Sequence, residues 1–85
     1  MQESVAARVH AILVDVLMLE DPTRVQPDAH VVRDLGAESI NLAELVVAIE
    51  NEFGIDVPGE AMGQVGTVSS LCAMVEGALG QKTPG

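Results

Sequence analysis

Ser39, Cys72, His10 and His30 are the first side chains to consider for nucleophilic catalysis, because they could supply a nucleophile or its base. A serine hydroxyl is a weak nucleophile that must be activated by a nearby general base. Neither histidine lies near Ser39 in the sequence or within a motif that would position it. We therefore expect no hydrolytic triad, and a chain of 85 residues leaves little room for an enclosed active site beside its core.

The single cysteine, Cys72, excludes an internal disulfide and offers no thiolate cluster for a metal. His10 and His30 are separated by a stretch without ligand spacing, so no metal site is predicted. Cys72 falls on the apolar face of the last predicted helix, where a buried small hydrophobic residue is the expected role.

Ser39 is the most informative of these side chains because of its position. It follows a turn residue, Gly36, and opens a long amphipathic helix that runs to Phe53. Backbone N–H groups and the helix dipole favour negative charge at such a position. Serine is also a preferred N-cap, and Glu38 is a poor one, so the pattern predicts Ser39 as either the cap or a first-turn residue.

The helix that Ser39 opens has two different faces. At 100° per residue its core stripe consists of Leu42, Leu45, Val46, Ile49 and Phe53. Ile40 and Val47 fall almost opposite that stripe, among Glu44 and Asn51. Aliphatic side chains on a polar face indicate a partner-binding strip, although isolated exposed aliphatics are also common.

The remaining pattern predicts an all-α fold, a four-helix bundle with three long helices and one short one. The first helix is expected from about Gln2 or Glu3 to Leu17, with Arg8 and His10 solvated outside its apolar stripe. A long ordered loop follows, pinned to the core by Val25, Val31, Val32 and Leu35.

The second half of the bundle is predicted from capping residues and spacing. Gly54 should end the second helix, a short helix is expected around Glu60 to Met62, and Thr67 should cap the last helix. One domain is predicted over residues 1–80, with a flexible tail at 81–85.

Charge and composition restrict the partners. The net charge is −9, and no lysine or arginine occurs from Asp34 through Gln81. Phe53 is the only aromatic residue. Nucleic acid and anionic membranes are therefore not expected to bind, and basic proteins are. The sequence shows no signal peptide or membrane span, so a cytoplasmic protein is expected. A monomer is expected as well.

Taken together, these motifs closely resemble the acyl carrier protein family. The resemblance covers nearly the whole chain and rests on three segments, DLGAESI at residues 34–40, ENEFGIDVP at 50–58 and TVSSL at 67–71. It implies that Ser39 is the attachment point of 4′-phosphopantetheine, which a phosphopantetheinyl transferase moves from coenzyme A with Mg²⁺. The arm's thiol would then carry acyl groups as thioesters, and the carrier itself would catalyse nothing.

The resemblance also implies that partner enzymes, such as acyltransferases and ketosynthases, read the second helix. The residues at its recognition positions are Glu38, Ile40, Glu44, Val47, Glu50 and Asn51. Glu38 stands where the family usually has aspartate, Ile40 where it has leucine, and Asn41 where an acid is common.

These departures favour a specialised carrier, in polyketide or related biosynthesis. A housekeeping fatty-acid carrier is the alternative, followed by an unmodified acidic helical adaptor that binds a basic partner. The cargo itself is not predicted.

Overall fold

The computed structural model describes residues 4–81, without the side chain of Gln81, as a bundle of four α-helices. Three are long, α1 (Val5–Val16), α2 (Ser39–Phe53) and α4 (Val68–Gln81), and one is short, α3 (Gly59–Gly63). A 3₁₀ turn at Pro22–Arg24 lies in the loop between α1 and α2. The predicted all-α four-helix bundle is confirmed. The predicted start at Gln2 or Glu3 lies outside the described residues, and so does the predicted tail at 81–85 apart from Gln81, the last residue of α4.

The core is entirely apolar over the described residues. Its fully buried side chains come from α1, α2, α4 and the loop: Val9, Leu13, Val31, Leu45, Ile49, Leu71 and Val75. In α2 the predicted stripe is confirmed, since Leu45, Ile49 and Phe53 are buried while Leu42 and Val46 pack against them. Cys72 is half-buried rather than buried as predicted.

Local capping sets the ends of the helices. Ser4 Oγ accepts from Ala7 N–H (3.1 Å) at the start of α1, and Thr67 Oγ1 accepts from Ser70 N–H (3.1 Å) at the start of α4. Gly54 ends α2 in the left-handed conformation, with φ +65°, as a glycine C-cap does. Both the predicted Thr67 cap and the Gly54 stop are therefore confirmed.

Three of the four predicted anchors hold the long loop between α1 and α2 against the core. Val25, Val31 and Leu35 are buried, and Val31 N–H donates to Gly66 O (2.9 Å) next to α4. Val32, however, is 40% exposed, so its prediction as an anchor is wrong. Val31 and Leu35 are four residues apart in a helical turn and share its inner side, which turns Val32 outward.

Arg8 joins the start of α1 to the end of α2. Its Nε lies 2.8 Å from Glu52 Oε2, its Nη2 donates to Glu52 O (2.8 Å), and its guanidinium lies 4.4 Å from the centre of the Phe53 ring. The prediction that Arg8 is solvated is wrong, because its partner is 44 residues away in sequence. These contacts make α1 and α2 antiparallel neighbours.

Within residues 4–81, no helix is long and apolar enough to cross a membrane. The same stretch contains no group of three or more His, Cys, Asp or Glu side chains placed to hold a metal ion.

Candidate functional site

The turn before α2 brings Ser39 to the surface. Gly36 has φ +77°, a conformation that strains any residue with a side chain, and it reverses the chain. Leu35 and Ala37, on either side of it, are buried, whereas Glu38 and Ser39 are exposed. The buried side chains of Leu35 and Ala37 thus fix the turn to the core, while Ser39 faces solvent.

The structure decides between the two positions predicted for Ser39. Glu38 occupies the N-cap position, and Ser39 is the first residue of the helix. The cap is completed by a residue that sequence reasoning did not assign, Asn41, whose Oδ1 accepts from Glu38 N–H (2.9 Å). An amide three residues after the cap is the available signal for such a capping box. The Ser39 hydroxyl is therefore not needed to start α2.

The side chains of both histidines contact backbone groups of the loop between α1 and α2, and neither contacts Ser39. His10 Nε2 lies 3.0 Å from Pro22 O. His30 Nδ1 accepts from the N–H groups of Val32 (3.2 Å) and Arg33 (3.1 Å), which caps the turn that precedes Gly36. In the described part of the chain, the Ser39 hydroxyl has no hydrogen-bond partner. The site thus presents an accessible hydroxyl, and a serine hydroxyl needs a nearby general base before it can act as a nucleophile.

An apolar groove runs along the outer face of α2 beside Ser39. Ile40 is 68% exposed and Val47 is 56% exposed. The groove is lined by Ile40, Ala43, Glu44, Val47, Ala48 and Asn51, and we call this surface the docking strip. The predicted exposure of Ile40 and Val47 is confirmed, whereas their role in recognition stays a prediction.

Two of the predicted recognition acids have different surroundings. Glu44 lines the docking strip, and its Oε1 accepts from Asn41 Nδ2 (3.3 Å). Glu50 does not line it. Its side chain is partly buried, and its Oε2 accepts from Val57 N–H (2.9 Å), which pins the loop after α2. Glu50 therefore has a structural contact with the loop after α2, and its predicted role in recognition stays a prediction.

Comparison with known proteins provides the remaining observation. Residues 7–75 match the family described as the phosphopantetheine attachment site. The chain is 41% identical over 78 residues to the acyl carrier protein of Solidesulfovibrio magneticus, covering 92% of this chain and 99% of that protein. This chain belongs to the acyl carrier protein family. The acyl carrier protein of Zymomonas mobilis is 37% identical over 71 residues, covering 84% and 90% of the two chains.

A solved structure agrees with the fold of this carrier. It is the solution structure of 3,5-dioxohexyl acyl carrier protein, a triketide mimic, from the actinorhodin polyketide synthase of Streptomyces coelicolor. The two folds agree with a TM-score of 0.78 over 98% of both chains at 23% identity. At this identity the similarity concerns the fold.

Membership of the family makes the chain a non-catalytic carrier that uses covalent 4′-phosphopantetheine and works with a phosphopantetheinyl transferase and acyl-processing enzymes. When attached, the group supplies the thiol that holds an acyl chain as a thioester. The first turn of α2 fits its phosphodiester, because the exposed hydroxyl of Ser39 lies among helix N–H groups that have no partner within the helix.

Cys72 should not compete with the arm for acyl groups. Burial raises the pKa of the Cys72 thiol, and the nearby Glu76 carboxylate raises it further. Near neutral pH the thiolate fraction is therefore smaller than in an exposed cysteine. We expect iodoacetamide to alkylate the arm thiol of the holo protein several-fold faster than Cys72, as followed by intact mass.

The control for this prediction is the apo protein in urea, where Cys72 should react at the rate of a free peptide thiol. Equal rates for native and denatured apo protein would contradict the prediction.

Proposed function

We propose that this carrier holds acyl intermediates as thioesters on a 4′-phosphopantetheine attached to Ser39 Oγ and delivers them to enzymes of polyketide or related specialised biosynthesis. The observation that supports the attachment point is the exposed, unbonded hydroxyl of Ser39 in the first turn of α2. A transferase can reach such an oxygen without disturbing any contact that holds the fold together.

The other three serines of the chain are less suitable acceptors. Ser4 Oγ is the N-cap of α1, and Ser70 Oγ donates to Thr67 O (2.7 Å). Ser69 is exposed at the start of α4, but it is not on the helix that carries the docking strip. Only Ser39 combines an available hydroxyl with an adjacent recognition surface.

The attachment can be tested by intact mass spectrometry of the apo protein after incubation with a broad-specificity phosphopantetheinyl transferase, coenzyme A and Mg²⁺. We expect one phosphopantetheine per chain, located by fragmentation in the peptide that contains Ser39. An unmodified folded protein would support the adaptor alternative, and a group located elsewhere would refute the assignment to Ser39.

The docking strip suits a basic partner with an apolar contact. Ile40 and Val47 provide aliphatic surface, and Glu44 provides charge that steers lysine- or arginine-rich enzymes before the apolar groups meet. No lysine or arginine occurs from residue 34 to residue 81, so α2 itself carries no basic side chain that would oppose this attraction.

Glu44→Lys should lower the kcat/KM of a partner acyltransferase or of the phosphopantetheinyl transferase about tenfold. The substitution replaces attraction of a basic enzyme by repulsion at the docking strip. Helicity by circular dichroism should stay unchanged, since Glu44 is exposed and only accepts a long hydrogen bond from Asn41.

Glu76→Lys is the matched control. It makes the same change in net charge on the exposed side of α4 and should leave the kinetics near those of the unaltered protein. Equal losses in the two variants would mean that net charge, and not the strip, determines the rate.

The specialised pathway is supported by Glu38, Ile40 and Asn41, which stand at positions where the family usually has other residues. Asn41 has a clear consequence, because it exchanges a first-turn acid for the amide that caps α2. Relatives that share 37–41% of the sequence are named simply as acyl carrier proteins, so a housekeeping fatty-acid carrier is the second candidate. The mass of the thioester released from carrier isolated from cells tests this: β-keto or otherwise unreduced chains support the proposal, and a ladder of saturated chains supports the alternative.

A further inference from the structure

The C-terminal end of α1 contains a strained residue. Met18 has φ +53° and is the only residue other than glycine with positive φ in residues 4–81. Leu19 N–H donates to Val14 O (3.0 Å), and Met18 N–H donates to Asp15 O (3.2 Å). These are the two hydrogen bonds of a Schellman cap, and Met18 stands where glycine is the usual residue. Glycine would serve the fold better at this position.

The Met18 side chain contributes little to the core, because it is 84% exposed. It is the most exposed large apolar side chain among the described residues. An open groove surrounds it, lined by His10, Ala11, Val14, Asp15, Met18, Leu19 and Pro22, and we call this surface the Met18 groove. A strained backbone that holds an apolar side chain in water indicates a function outside the fold.

Asp15 lines the Met18 groove, and two further acids, Glu20 and Asp21, lie in the chain between its lining residues Leu19 and Pro22. Asp15, Glu20 and Asp21 are all exposed; His10 lies in the groove beside Asp15, and Arg24 is close enough to act on Asp21. Hydrogen bonds from the Thr23 hydroxyl and N–H lower the pKa of Asp21, with a smaller contribution from Arg24, so its carboxylate stays charged. Arg24 also donates to Asp34 O, which ties this end of the loop to the turn before α2.

We propose that the Met18 groove is a second docking surface for a partner protein. The partner's own surface has an apolar pocket that receives the Met18 side chain, and lysine or arginine side chains border that pocket. The Met18 groove shares no lining residue with the docking strip. Because α1 and α2 are antiparallel, the end of α1 lies toward the Ser39 end of the bundle. The two surfaces therefore offer a partner different residues near the same end of the bundle.

The chemistry of the groove favours this occupant over a second copy of the chain. An unbranched methionine adapts to pockets of different shape. Two copies would bring the acids around Met18 together, and the net charge of −9 on each chain opposes that contact. A basic partner instead gains from the same acids.

The test is an NMR titration of the ¹⁵N-labelled apo carrier with a synthetic amphipathic peptide of leucine and lysine. We expect saturable amide shifts from Ala11 to Leu19, separate from any shifts at Ile40 to Asn51. Met18→Gly should weaken binding at the groove about tenfold or more, because a buried methionine side chain is lost. The same variant should melt at the same temperature as the unaltered protein or a few degrees higher.

Val47→Ala is the control, since it trims the docking strip and should leave binding at the Met18 groove unchanged. Shifts confined to the docking strip would overturn the proposal. So would a Met18→Gly variant that binds normally, or peptide-free shifts around Met18 that grow with protein concentration and reveal self-association. None of these outcomes depends on whether Ser39 carries phosphopantetheine, because the apo protein is used throughout.

Discussion

Replacing Ser39 with alanine is expected to abolish transfer of phosphopantetheine to this carrier while leaving its fold intact. The substitution removes the only atom proposed to accept the phosphoryl group. It removes nothing that the fold uses, because Glu38 is the N-cap, Asn41 completes the cap, and the Ser39 hydroxyl is exposed. Alanine is also the best helix former, so the stability of α2 should change by about 0.5 kcal/mol or less.

The measurement is intact mass after prolonged incubation with transferase, coenzyme A and Mg²⁺, together with thermal unfolding of the same sample. Ser69→Ala is the matched control, because it removes another exposed serine from the first turn of another helix. We expect full modification of Ser69→Ala and none of Ser39→Ala. Residual modification of folded Ser39→Ala would show that a helix-terminal hydroxyl other than Ser39 is accepted.

The two variants together separate chemistry from recognition. If any accessible serine at a helix start were sufficient, Ser69 would be modified as well, and Ser39→Ala would retain one addition. Loss only at Ser39 means that the transferase requires the surroundings of that serine. The nearest such surroundings are Ile40 and Glu44 of the docking strip, which Ser69 lacks.

Features set by local periodicity could be predicted from the sequence. The alternation of buried and exposed residues on α2 follows from 100° per residue, so the burial of Leu45 and the exposure of Val47 were both predictable. The caps at Thr67 and Gly54 follow from residue type. The position of Ser39 at the start of α2 could be predicted for the same reasons.

Features set by contacts between distant segments could not be predicted. Glu44 and Glu50 both appear as acids on α2, and only the path of the chain after Gly54 brings Val57 N–H to Glu50. Arg8 appears solvated until Glu52 is placed beside it.

The left-handed conformation of Met18 is a local feature that could not be predicted either, because a methionine at a helix end gives no indication of positive φ.

The core of α2 gives the second large effect. Leu45→Ala is expected to lower the free energy of unfolding by about 2–5 kcal/mol, because Leu45 is fully buried and its removal leaves a cavity. A domain of this size has a total stability of only about 5–15 kcal/mol. The loss should appear in the midpoint of urea unfolding, and the fraction of carrier competent for phosphopantetheine transfer should fall at elevated temperature.

Val47→Ala provides the contrast, because it lies two residues away on the same helix but is 56% exposed. No cavity is formed, and alanine favours the helix more than valine does, so stability should stay within about 0.5 kcal/mol or rise slightly. Docking should weaken instead, since the strip loses an aliphatic contact. Leu45→Ala should thus reduce stability and leave partner binding at low temperature intact. Val47→Ala should instead keep the stability and weaken partner binding. Equal stability losses in both variants would contradict the two-faced description of α2, because a helix whose outer face were also packed could not present a free surface beside Ser39.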